Sequence, residues 1–296
     1  MRFLKELGLS NNSAPELTLI GQNELAAMDR WTLERRSRAL THNCYLGEEV
    51  MLCRVLGRYK FYVPTTDIGF AAHLMLDGFW EPWLTVFMAQ KIKPGMHIVD
   101  AGANHGYYTI LFADLAGPTG RVIAVEPNPV TASFLRRTVK VNGFDDNVDV
   151  IEMALTSEDH QKLRFTAPGS EPKNARLMFA DEPDTTETIE VDACRLDTML
   201  SGSPKVDFIK IDVEGAEEAM LAGAWGIVSR DRPQMMLEFN ASRCHDPASL
   251  LDRLEALYGH AAAAVQHDCL AHPVERAALL DRSNLEDWLL FFSAKQ

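Results

Sequence analysis

The stretch Val99-Asp100-Ala101-Gly102-Ala103-Asn104-His105-Gly106-Tyr107-Tyr108-Thr109, VDAGANHGYYT, decides how the chain folds. Ile98, Val99 and Asp100 close an apolar run that reads as a buried strand, and a helix is expected from about Tyr107. The turn between them uses two glycines for different reasons. Gly102 removes the Cβ where the backbone must approach a ligand, and Gly106 lets the new helix pack closely. The spacing is G-x-x-x-G. A dinucleotide site uses G-x-G-x-x-G and sets a pyrophosphate on the helix N-terminus. The turn with Gly102, Ala103, Asn104 and Gly106 therefore points to a nucleoside ligand of another kind, and a nicotinamide-dependent dehydrogenase ranks low.

Outward from this turn the chain alternates. Residues 97–102 (HIVDAG), 121–127 (RVIAVEP), 148–155 (VDVIEMAL), 206–213 (VDFIKIDV) and 234–240 (QMMLEFN) are apolar runs bounded by turn residues, as buried parallel strands are. Segments such as 130–141 and 217–228 between them carry helices. Asp246-Pro247 opens another helix with an N-cap acid, followed by Leu250, Leu251, Leu254 and Leu257 at core spacing. After a strand near 262–266, residues 287–294 (DWLLFFSA) suit an antiparallel last strand. The expected class is α/β.

Two regions depart from this rhythm. Residues 156–195 hold three short strand-like runs, KLRFTAP, ARLMFAD and TIEVDA, an insertion where a crossover helix would stand. Residues 1–75 carry a weak helical pattern over 23–40 and two strands, EVMLCRV and YKFYV, meeting at Gly57-Arg58. They are expected to form an extension, either a cap or a packing against the sheet edge, before a main domain spanning 76–296.

The 296 residues carry a net charge of −13, with 29 Lys and Arg against 42 Asp and Glu. Such a surface repels phosphate backbones, so nucleic acid is not an expected partner. Arg35, Arg36 and Arg38 read as a solvated helix face. The N-terminal residues lack the apolar run of a signal peptide, and no stretch reaches the ~20 apolar residues of a membrane span. A cytoplasmic protein with no membrane contact is expected. Five cysteines without a CxxC pair fit reduced thiols. The group Cys244, His245, His267, Cys269 and His272 matches no zinc spacing.

The chemistry gathers at strand ends. Glu126 closes the second strand, 24 residues after Gly102, where an acid accepts both hydroxyls of a ribose. Asn128 follows it as a turn residue expected to touch the adenosine, and Met153 and Ala154 fall either where an adenine would lie or in the core. In FIKIDVEGAE, residues 208–217, alternation puts Lys210 and Asp212 on one face at the carboxyl edge of the fourth strand. Buried charges there demand partners or a function. Glu238 and Asn240 end the next strand. Glu214 and Glu217 read as caps of the following helix, and His105, inside the turn, either reaches a ligand or is a surface side chain flanking the helix. Trp80 and Trp83 flank Glu81 and wall the pocket or pack in the core.

Taken together, VDAGANHGYYT, VIAVEPNP, FIKIDVEGAE and LEFN resemble the FkbM-type methyltransferases, class I enzymes that bind S-adenosylmethionine. The resemblance spans about residues 78–292. It implies a Rossmann-like fold with a seven-stranded, mostly parallel sheet whose last strand is antiparallel, S-adenosylmethionine as methyl donor, and O-methylation of a sugar or secondary-metabolite hydroxyl. Within that frame Asp100 holds the donor's amino-acid end, directly or through water, and Glu81 lies near its amino group. A hydroxyl acceptor needs a base. Asp212 ranks first, with Glu238 or a Lys210 kept neutral by burial as alternatives, and a Lys210–Glu238 ion pair as the structural counter-reading. Asp212, Glu238 and Asn240 would be the oxygen ligands if Mg²⁺ or Ca²⁺ polarised the hydroxyl. A nucleic-acid methyltransferase and a catalytically silent cofactor-binding module remain alternatives. The sequence leaves the acceptor unnamed and both a monomer and a homodimer open.

Overall fold

The computed structural model describes residues 18–171, 175–178 and 182–294. The expectations for residues 1–15 and for the last three residues of ARLMFAD lie outside them. Two helices, α1 (Gln22–Ala27) and α2 (Arg30–Leu40), share the pattern expected over 23–40. They part at Asp29, whose carboxylate accepts the Thr32 N–H at 3.0 Å and caps α2. Next come β1 (Asn43–Gly47), β2 (Val50–Val55) and β3 (Tyr59–Pro64), a small antiparallel sheet. The β2–β3 pair is the expected hairpin. β1 is exposed along its length, so it carries no alternation by which to recognise it.

Helices α3 (Phe70–Leu76) and α4 (Pro82–Lys91) lead into the main unit, so a boundary at 75/76 falls inside α3. The main run is β4 (His97–Ala101), α5 (Tyr107–Ala116), β5 (Arg121–Val125), α6 (Pro129–Asn142) and β6 (Val148–Ile151). The 148–155 run then breaks at Glu152-Met153, and β7 (Ala154–Leu155) joins another sheet. β8 (Gln161–Thr166), β9 (Arg176–Leu177) and β10 (Thr188–Cys194) complete that sheet in the order β7-β10-β8-β9. This is the expected insertion. The chain continues through α7 (Leu196–Met199), β11 (Phe208–Ile211), α8 (Glu217–Asp231), β12 (Gln234–Phe239), α9 (Pro247–Tyr258), β13 (Ala263–Val265), β14 (Ala271–Pro273), α10 (Arg276–Leu279) and β15 (Trp288–Phe292).

The main sheet runs β14-β13-β15-β12-β11-β4-β5-β6. It holds the seven expected strands, with β15 antiparallel between β12 and β13, and an eighth, β14, that hairpins onto β13. From β4 the chain winds outward through β5 to β6, then returns to lay β11 on the other side of β4. The reversal at β4 and β11 is where an open α/β sheet leaves its crevice.

Alternation along these strands divides two cores. Ile98 and Phe208 face a core shared with α4, α5, α6 and the N-terminal elements, while Val99, Ile209 and Ile211 face a second core with α8 and α9. The extension therefore packs on a helical face and not on the sheet edge. Its β3 is fastened there: Tyr62 N–H donates to Thr138 Oγ1 at 3.1 Å, and Asn142 brackets Lys60, accepting its N–H at 3.0 Å and donating to its carbonyl at 2.6 Å. Arg58 and Tyr59 both bind Asp114 of α5.

Candidate active site

The reversal point is built by close backbone approach. Gly102 has φ +76°, and a Cβ there would stand 1.7 Å from the carbonyl oxygen of Asp212. Glycine is thus required by the end of the neighbouring strand β11, not by a ligand as its position alone suggested. Its N–H and that of Ala103 both donate to the Val125 carbonyl at 3.0 Å, drawing the turn onto β5. Gly106 has φ +95°, and a Cβ would strike Leu135 at 2.3 Å, so it serves helix packing as expected.

Above this turn lies a cleft of about 280 Å³. Of the residues anticipated from sequence, Glu81, Gly102, Ala103, Asn104, Glu126, Met153, Ala154, Lys210, Asp212 and Glu238 line it, as does Trp80. The insertion contributes Phe165, Ala175 and Leu177 to the wall beside Met153 and Ala154, and α3 contributes Phe70. Three lining residues other than glycine, Glu81, Asn104 and Glu214, have left-handed backbones with φ of 37°, 50° and 50°. Strain of this kind persists where surrounding contacts hold it, and it concentrates at functional sites.

Glu126 is held from both sides. One carboxylate oxygen accepts the Asn104 N–H at 2.8 Å and the other the Asn128 N–H at 2.9 Å. Each oxygen keeps a second lone-pair direction, and the carboxylate lines the cleft. Burial outweighs the two N–H bonds and pushes the carboxyl up to about 7. Glu81 accepts the Tyr108 hydroxyl at 2.8 Å.

Three expectations change here. Asn128 does not line the cleft; its side chain accepts the Val130 and Thr131 N–H groups and caps α6. His105 is buried, stacked on Phe70 with centroids 5.6 Å apart, and burial pushes it down to about 3, so it is a neutral packing residue. Trp83 takes the core alternative of its two expected places: it packs against the core and stacks on His267 at 4.2 Å, and it is not among the residues lining the cleft. Asn240 spends its carbonyl on Ser242 N–H and Oγ at 2.9 and 2.6 Å and its amide on Asp287, so it offers no metal ligand.

The charged end of β11 differs most from expectation. Lys210 is 4% exposed, and its ammonium donates to Asp212 Oδ2 at 2.8 Å. Burial works to remove the proton, yet Asp212 and Asp100 outweigh it and hold Lys210 above the ordinary lysine range. A neutral Lys210 base is therefore not what the geometry provides, and its partner is Asp212 where Glu238 was considered. Glu238 has its Oε2 3.8 Å from Arg243; burial and then Asp212 and Glu214 raise it well above the carboxylate range. Glu214, read from sequence as a helix cap, lines the cleft and is pushed up to about 8 by burial and Asp212.

Arg243 was not anticipated. It sits in the turn after β12, lines the cleft, and meets Glu214 at 3.3 Å and Asp287 at 3.0 Å as well as Glu238. Charge balance was the signal that would have found it: acids crowd the carboxyl ends of β11 and β12, and Lys210 alone cannot compensate them. Carboxylate oxygens of Asp212, Glu214 and Glu238 lie within 4.8 Å of one another. Lys210 and Arg243 already supply cations to that group, so its charge does not call for a metal ion.

A cleft at the reversal of a mostly parallel sheet, floored by a G-x-x-x-G turn and with an acid closing the second strand, defines a Rossmann-like α/β fold with its ligand crevice at the carboxyl ends of the strands. Residues 100–261 match the model of the methyltransferase FkbM domain, and the chain belongs to that family of methyltransferases. It is similar to the 31-O-demethyl-FK506 methyltransferase FkbM of Streptomyces tacrolimicus, 32% identical over 159 residues, 45% of this chain and 61% of that one. It is also similar to the protein-L-isoaspartate O-methyltransferase of Methanopyrus kandleri, 31% identical over 110 residues, 36% of this chain and 45% of the relative. The chain thus spans about half the length of these curated relatives. A solved methyltransferase FkbM from Methylobacillus flagellatus KT superposes with a TM-score of 0.42 at 20% identity, covering 67% of this chain and 43% of that one. No helix among the described residues is long and apolar enough to cross a membrane.

The family implies S-adenosylmethionine, and the residues present fit it. Glu126 offers two acceptor oxygens for a ribose diol, Met153, Ala154 and Phe165 offer apolar walls for an adenine, and Glu81 offers an acid for an ammonium.

Proposed function

We propose that this methyltransferase acts on a hydroxyl of a small molecule, with Glu126, Met153, Ala154 and Glu81 holding S-adenosylmethionine and Asp212 as the general base. When bound, the donor supplies an electrophilic methyl on its sulfonium. The chain's own contribution is to hold the acceptor in line and to take its proton. One observation carries the reading: Asp212 is half-exposed in the cleft, with Oδ2 fixed by Lys210 at 2.8 Å. That anchor leaves Oδ1 as the proton acceptor. Lys210 holds the carboxylate in place and stabilises it as an anion.

In the acceptor half Lys210 and Arg243 are already paired with Asp212, Glu214 and Asp287, which leaves no free cation among the described lining residues for a phosphate and supports an uncharged acceptor. The Streptomyces tacrolimicus relative is named for a 31-O-demethyl substrate, which supports oxygen as the accepting atom. The test is incubation with methyl-labelled S-adenosylmethionine and a panel of glycosides and hydroxylated macrocycles, with products located by mass spectrometry and NMR. A methyl placed on a hydroxyl oxygen is expected. Transfer to nitrogen instead, or donor binding with no transfer to any hydroxyl, contradicts it.

A further inference from the structure

Asp100 does not line the cleft. It is fully buried, at 0% exposure, one residue before the end of β4. Its Oδ2 accepts the Thr109 hydroxyl of α5 at 2.6 Å. Its Oδ1 has no hydrogen-bond partner among the described residues and lies 4.0 Å from Lys210 Nζ. The contact follows from register, because Asp100 and Lys210 are directly paired across β4 and β11. Lys210 in turn reaches Asp212 at 2.8 Å, and the Tyr108 ring lies beneath its ammonium with the centroid 5.4 Å away. Thr109, Asp100, Lys210 and Asp212 thus form one chain of contacts from the helix α5 to the cleft.

We propose that Asp100 is a positioning residue that acts through Lys210 to hold Asp212, and that it does not itself contact the nucleoside ligand. The inference rests on the reading of Asp212 as the base. A lysine buried this deeply beside a single half-exposed acid would tend to give up its proton; a second, wholly buried carboxylate keeps it an ammonium and so keeps the anchor on Asp212. The ionic surroundings are consistent with this: Asp212, Asp100 and Glu238 are the groups that favour charge on Lys210, and Asp100 is held up by burial and drawn down by Lys210 and Thr109.

The test uses the full chain and needs no acceptor. Donor affinity is measured by calorimetry with S-adenosylmethionine for wild type and Asp100→Asn, and the Lys210 ammonium is followed by ¹H–¹⁵N NMR, its peak assigned by its absence in Lys210→Met. The expected result is an affinity within about threefold of wild type together with loss or displacement of the Lys210 peak. A fall in affinity of about tenfold or more, the cost of a lost hydrogen bond to a charged ligand group, overturns the proposal. An unmoved Lys210 peak overturns it equally. If Asp100→Asn does not fold, Asp100→Asn with Lys210→Met removes both charges of the buried pair, and the same threefold and tenfold outcomes are read on its donor affinity against that of Lys210→Met alone. The base reading fails on separate grounds, if Asp212→Asn transfers the methyl at the wild-type rate.

Discussion

Glu126 shows how one side chain joins fold and ligand. Its oxygens stitch Asn104 of the glycine turn to Asn128 at the start of α6, and the same carboxylate faces the cleft. A ribose diol donates hydrogen bonds, so it favours the ionised form. In the free protein the carboxyl sits at about 7, and below that pH a proton must leave when the donor binds. Donor affinity is therefore expected to be level above about pH 7 and to weaken below it, by up to about tenfold per pH unit. Calorimetry across pH 5 to 8 checks this, and Glu126→Gln should both lower affinity by about tenfold or more and remove the pH dependence. A Gln variant with wild-type affinity and slope would place the ribose elsewhere.

Among the elements, the seam between β3 and α6 and the β4 turn make separable predictions. Asn142→Ala strips both side-chain bonds to Lys60 and should cost about 1–2 kcal/mol in denaturant unfolding while donor affinity stays unchanged. Gly102→Ala is different in kind. The added Cβ meets the Asp212 carbonyl at 1.7 Å on a backbone with φ +76°, so a loss of at least about 2 kcal/mol is expected, together with displacement of Asp212 and lost transfer. What the sequence made legible follows the same division. Strands buried on both faces announce themselves as apolar runs, which is why β4, β5, β11 and β12 and the acids at their ends were found. β1 and β14 were not, because exposed edge strands carry no such pattern. Within the site, Glu126 and Asp212 are tied to strand ends and could be placed by counting. Arg243 reaches the cleft from an irregular turn, and the side-chain directions of Asn128, His105 and Asn240 depend on caps and stacks that no periodicity records.

For the molecule as a whole, the cleft is a store of unfavourable acid burial. Glu126 is held at about 7 and Glu214 at about 8, both above their ordinary 4.5. Between those limits the folded chain binds more protons than the unfolded one, so this contribution to stability is complete below about pH 4.5 and is lost as pH rises through 7 to 8. Denaturant unfolding of the donor-free protein should show stability declining from pH 5 to pH 8. Saturating S-adenosylmethionine should offset part of that decline by binding only the folded state. A profile that rises across this window would mean that the acids are paired more completely than their contacts show.

The central claim, that Asp212 takes the acceptor's proton while other residues hold the donor, is tested most directly by single-turnover methyl transfer in Asp212→Asn beside wild type, with donor affinity measured on the same samples. The account predicts a rate lower by about 10²–10⁴-fold with donor affinity within about threefold. Transfer at the wild-type rate would contradict it.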